Sequence, residues 1–254
     1  MVLKIMNKFG IILKAACIVA VLLVVKYLIH VYNGEVIVSN PVITAIVAGV
    51  IFTIAIIFSG VLADFKESEK IPGELAGIIK SIYYDANMVP VKDEKKRDNL
   101  RAHVKSLLKA IVSNFKSNSW PLHEINTAIN QIADDVSSLA QEGIPAPYCI
   151  KIRNDLASVD KLSYRIKIIM ETSFIPAAYN IAIIAMLAVI VILLCYKTEH
   201  YYEGLIFFGS VAFVLISLLM LIKDMDNPFE YGKKTSADVD LSILFDLEKE
   251  LEHR

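Results

Sequence analysis

Four long apolar runs, two toward each end of the chain, set the terms for the rest of this sequence: Ile11–Tyr32, Pro41–Leu62, Phe174–Cys195 and Tyr202–Ile222. A bilayer core of roughly 30 Å is crossed by about 20 mostly apolar helical residues, so each run is long enough to span one. In lipid every backbone polar group must be satisfied within the segment, which makes helices the expected form. Between the second and third runs lies a polar middle, 63–173, of ordinary composition. The sequence predicts an integral membrane protein and makes an enzyme the weakest functional class.

The 254 residues are 56% hydrophobic, with a mean hydropathy of +0.54. Soluble domains run nearer half apolar, and the excess here sits in the four runs. A formal net charge of −1 provides no field to recruit nucleic acid, so no such partner is expected. Cys17 and Cys195 fall within apolar runs and Cys149 stands alone, without the spacing of a disulfide framework or a zinc site. Lys4, Lys8 and Lys14 before Ala15–Val25 resemble the start of a signal peptide, but no small-residue cleavage site follows. An uncleaved first helix is expected, with Lys14 and Lys26 snorkelling to opposite interfaces.

Charge orients the spans. The short connections, Asn33–Asn40 and Tyr196–Gly204, hold Lys197 against Glu35, Glu199 and Glu203. Lys4, Lys8 and Lys14 precede the first span, and Lys66 and Lys70 follow the second. Lys161, Arg165 and Lys167 precede the third, and Lys223, Lys233 and Lys234 follow the fourth. These ends share one side, which places both termini and 63–173 in the cytoplasm of a multi-pass cell (inner or plasma) membrane protein. Tyr27, Tyr32, Tyr196, Tyr201 and Tyr202 would form an aromatic belt at the other interface.

The expected organisation is therefore all-α: a first span pair (1–62), a helical cytoplasmic bundle (63–173), a second span pair (174–222) and a cytoplasmic tail (223–254). Apolar stripes predict helices over Gly73–Ala86, Asp93–Ser117, Leu122–Gln141 and Ile150–Glu171, and few residues suggest strands. Pro72, Trp120–Pro121 and the Gly143–Pro147 segment punctuate them. Val239, Ile243, Leu247 and Leu251 give the tail one apolar stripe, suited to docking on the bundle or on a neighbouring subunit.

No nucleotide-binding, nucleophile-elbow or zinc-protease motif is present. His103 and His123 lie on different predicted helices and read as solvated or bundle-packed rather than as a metal pair. The second span carries no charge, and Val47, Ile51 and Ala55 share a stripe on a 3.6-residue period, with Phe58 near it. Such a stripe meets lipid or a neighbouring helix, or forms a hydrophobic constriction that gates a pore by dewetting. Two polar segments abut the membrane. Ala63–Gly77 contains Asp64, Glu67, Glu69 and Pro72, and Asp224–Gly232 contains Asn227, Pro228 and Phe229. Asp224, Asp226, Glu230, Asp238 and Asp240 could together supply oxygen ligands for a calcium ion. Calcium is the one cofactor the residues suggest, and none is required.

These two segments carry a resemblance. VLADFKESEKIPGELAG resembles the stretch after the second span of bestrophin channels, and Asn227–Phe229 is similar to the NPF that opens the bestrophin calcium clasp. The layout is similar to that of the prokaryotic group described as having a bestrophin-like domain. The resemblance implies a homopentameric channel for inorganic ions, embedded in lipid, with the second span lining a central pore. It places Val47, Ile51 and Ala55 at the neck, with Phe58 or Phe52 supplying the bulk that Val47 and Ala55 lack. The clasp departs from the family, because NPFEYGKKTSADVD has Lys233 and Lys234 where carboxylates are expected. Neither calcium gating nor selectivity is carried over. Glu35, Glu199 and Glu203 would favour cations at the pore mouth. The competing reading is a non-conducting scaffold or receptor whose cytoplasmic helices bind a partner. A small transporter is a third reading, though no membrane-buried carboxylate offers itself for coupling ions.

Overall fold

The computed structural model describes residues 10–38, 40–91, 93–172, 176–232 and 237–253. Phe174 and Lys4, Lys8, Lys233 and Lys234 of the charge pattern lie outside the described residues. The helices are α1 (Gly10–Val31), α2 (Pro41–Ser68), α3 (Ile71–Met88), α4 (Glu94–Ser117), α5 (Leu122–Gln141), α6 (Ala146–Glu171), α7 (Pro176–Leu194), α8 (Tyr201–Met225) and α9 (Ser242–Glu252). Two short strands, β1 (Ile37–Val38) and β2 (Tyr196–Lys197), follow α1 and α7.

The described chain divides into two compact units. A membrane unit holds residues up to Phe65, those from 176 to Pro228, and 237–238; a polar unit holds Lys66–Thr172, 229–232 and 239–253. The chain passes from the first to the second within α2, between Phe65 and Lys66.

In the membrane unit α1, α2, α7 and α8 are each long and apolar enough to cross a bilayer. α8 is the centre, with α1 and α7 packed on it and Phe208, Val211, Ala212, Leu215 and Leu219 buried. Gly209 faces α1, where a Cβ would make ordinary contact with Leu23 at 3.4 Å. The outward faces stay exposed, with Val21 64%, Ile184 67% and Ile206 70% accessible. A soluble monomer rarely leaves so much apolar surface uncovered, and a bilayer covers it at no cost.

The strands pair in parallel, Ile37 with Tyr196 and Val38 with Lys197, and tie the two short connections together. The sequence suggested no such pairing. Two residues per strand leave no alternation to detect, and the partners are far apart in sequence.

In the polar unit α3, α4, α5 and α6 form a closed four-helix bundle, each helix touching its chain neighbours and α6 returning to α3. The expected stripes face inward. Leu75, Ile79 and Ile82 meet Leu100, Val104, Leu107, Leu108 and Ile111, then Ile125, Ile132 and Val136, then Ile152, Leu156 and Val159. Asp93 caps α4 by accepting from the Lys95 N–H. α5 ends where Gly143 takes a left-handed φ of 84°, with Gly143 N–H on Ala140 O and Ile144 N–H on Leu139 O. Pro72 lies in the first turn of α3, where its missing N–H costs nothing. α9 docks on α3 and α4 through Leu244, Leu247 and Leu251, with Glu250 paired to Lys80 at 3.0 Å.

Candidate functional site

On α2, Val47, Ile54, Val61 and Phe65 recur at helical spacing and are buried within the chain. Ile51 and Phe58 are half-buried, and Ala55 is exposed. The stripe that periodicity selected therefore splits: Val47 packs inward and Ala55 faces out. The opposite face is open and uncharged, with Phe52 68% and Ile56 57% accessible and Val42, Ile46 and Gly49 beside them. Thr53, on this face, donates its hydroxyl to Gly49 O at 2.8 Å and so brings no unsatisfied donor to an apolar surface.

At the end carrying the short connections, Lys26 is enclosed by protein: its side chain is 3% exposed. The ammonium donates to Leu194 O at 3.1 Å and Tyr196 O at 2.5 Å, and pairs with Glu35 Oε1 at 2.5 Å. Leu194 O is one of the last carbonyls of α7, which lack helical partners and favour a cation. His30 Nδ1 lies 2.8 Å from Glu35 Oε2, and its ring stacks on Tyr201 with centroids 4.0 Å apart. Burial opposes ionisation of Glu35, but the hydrogen bonds and charges of Lys26 and His30 outweigh it and hold the carboxyl below its ordinary range.

The first junction is a set of ion pairs around a helix turn. Glu67 accepts from Arg165 at 3.0 Å, and Lys66 pairs with Glu69 at 2.6 Å. Asp64 is exposed, and Pro72 is buried at the start of α3. The second junction is an insertion. Phe229 is 1% exposed, with its ring 5.6 Å from Phe115. Phe115 lies 4.5 Å from Trp120, whose indole N–H donates to Ser163 O at 2.9 Å. Asn118, the cap of α4, donates to Tyr231 O at 2.9 Å and accepts from Tyr231 N–H at 2.6 Å.

Two of the carboxylates suggested for calcium, Asp224 and Asp240, hold backbone N–H groups. Asp224 Oδ2 accepts from the Ala237 N–H at 2.9 Å, and Asp240 Oδ1 from the Ser242 N–H at 3.0 Å, at the start of α9. Asn227 Oδ1 is a buried acceptor without a hydrogen-bond partner among the described residues. One amide oxygen is far from the six to eight oxygens that calcium takes. Among the described residues no three His, Cys, Asp or Glu side chains are arranged to hold a metal ion. His103 pairs with Asp135 at 2.6 Å between α4 and α5, a packing role. Tyr83, which periodicity missed, is fully buried and accepts from Arg101 at 2.8 Å.

No family model matches the sequence, and no curated protein matches it. The fold does have solved counterparts. A point variant of a bacterial bestrophin homologue from Klebsiella pneumoniae superposes with a TM-score of 0.78 at 9% identity, covering 95% of this chain and 98% of that one. A second variant of that homologue gives 0.75 at 10% identity, covering 97% and 98%. A further crystal structure, described as a membrane protein, gives 0.78 at 9%, covering 95% and 97%. The chain is an all-α membrane protein with the bestrophin fold along nearly its whole length.

Proposed function

We propose that this chain is one subunit of an oligomeric ion channel, a pentamer by the resemblance of its junctions, with α2 as the pore wall. One observation carries the reading: in a chain of this fold, α2 turns an uncharged face of Phe52, Ile56 and Ala55 away from the side packed within its own chain. Five such faces around an axis make a constriction that gates by wetting. Val47 and Phe58, packed inward or nearly so, brace that wall from behind, and Ile51 sits at its margin. Glu35 is neutralised by Lys26 and His30, so Glu199 and Glu203 supply the negative field at the mouth and favour inorganic cations. Lys14, Lys66, Lys70, Lys161, Arg165, Lys167 and Lys223 put the polar unit on the cytoplasmic side. Of the tail stripe that favoured a scaffold, Leu247 and Leu251 are buried, with Leu244, as α9 docks on the chain's own α3 and α4, while Ile243 stays exposed.

The test is reconstitution in planar bilayers. The expected result is a conductance that rises in Phe52→Ala and Ile56→Ala. Silence across salts and calcium levels, from a particle that runs as a monomer, would sink the idea.

A further inference from the structure

We propose that the side-chain amide of Asn118 is the latch that holds the segment after the last span in the polar bundle, and that the latch works without calcium. The amide makes a reciprocal pair with the Tyr231 backbone, donating at 2.9 Å and accepting at 2.6 Å. It thus engages both polar groups of one peptide residue, as a neighbouring strand would. Asn118 is pre-set for this. It sits in the left-handed region (φ 51°) as the cap of α4, and its own N–H is held by Asn114 O and Phe115 O. Asn is among the few residues that adopt this conformation readily, and it brings a donor and an acceptor to it.

The surroundings reinforce the hold. Phe229 fills the space beside Phe115. The ring of Tyr231 meets that of Phe245 edge-on at 5.3 Å, which draws in α9. Lys116 lies 5.3 Å over Phe245 and pairs with Glu248 at 3.2 Å. The latch is neutral, whereas a calcium clasp would need clustered carboxylates. Here Asp224 and Asp240 accept from backbone N–H groups, and the residues after Tyr231 and Gly232 are Lys233 and Lys234.

The proposal does not depend on conductance, so it stands or falls apart from the channel reading. Hydrogen exchange of the full-length protein in detergent tests it, read at Phe229–Gly232 and α9, in chelator and in millimolar calcium. Asn118→Gly keeps the left-handed backbone and removes only the amide. The expected result is about tenfold faster exchange at Tyr231 and lower protection of α9 in Asn118→Gly, the loss of a pair of neutral hydrogen bonds. Wild type should exchange alike in chelator and calcium. Asn118→Asp keeps the acceptor for the Tyr231 N–H and should fall between the two. Unaltered exchange in Asn118→Gly overturns the latch. Calcium-induced protection in wild type that Asp226→Asn abolishes overturns its independence of the ion, and that comparison holds even if an Asn118 variant fails to fold.

Discussion

Replacing Lys26 with methionine keeps the stem and removes the ammonium. Three acceptors lose their donor: Glu35 Oε1, Leu194 O and Tyr196 O. Glu35, whose side chain is 8% exposed, is left with only His30, which is 44% exposed and a weaker counter-charge. Removing one member of a buried pair costs about 3–5 kcal/mol, because the other is stranded. For a chain of this size that is a melting midpoint lower by about 10 °C. Lys26→Met with Glu35→Gln strands no charge, and should recover most of the loss. The pH dependence follows in sign. The folded-state pKa of Glu35 lies below its ordinary value of 4.5. Its contribution to stability is therefore complete above that value and is lost as pH falls through the lower, folded value. That acid loss should shrink in Lys26→Met. The assay is thermal unfolding in detergent from neutral pH to below 4. If Lys26→Met melts with wild type at neutral pH, the ammonium is in water and the inward arrangement is wrong.

Ile54 and Phe52 lie on opposite sides of α2, so Ile54→Ala should lose about 2–5 kcal/mol of stability, while Phe52→Ala should lose little and act on conductance. Denaturant unfolding of both variants separates them, and equal losses would place both in the core. Phe229→Ala empties a fully buried aromatic site and should cost about 3–5 kcal/mol, read as a drop in the unfolding midpoint. Glu199→Gln with Glu203→Gln should shift the reversal potential in a salt gradient away from cation preference while leaving the melting midpoint in place, since both side chains are exposed.

The spans and the bundle were readable because each rests on a pattern local to its helix. Ile11–Tyr32 and the helix Gly10–Val31 differ by one residue at each end. Leu100, Val104, Leu107, Leu108 and Ile111 were a stripe in the sequence and are buried in the structure. On α2 the local pattern is not sufficient. Periodicity says which residues share a face, but in a span every face is apolar, so it does not say which one meets the protein. Ile54, the most buried residue of that helix, resembles its neighbours in type. The enclosure of Lys26 is hidden for a related reason: a lysine near a helix end usually snorkels, and its acceptors at Leu194 and Tyr196 lie far along the chain. The Asn118–Tyr231 pair spans a separation of 113 residues, beyond any local signal.

The docking of α9 also bears on how the protein is made. Helices α3 to α6 follow one another in the chain and touch in that order, so they can associate as they leave the ribosome. The groove between α3 and α4 that receives Leu244, Leu247 and Leu251 has no cover until α7 and α8 have been synthesised and inserted. During that interval the nascent chain presents an open apolar cleft, a natural point for chaperone engagement. A ribosome stalled within the second span pair would leave a product that quality control can recognise by that open cleft.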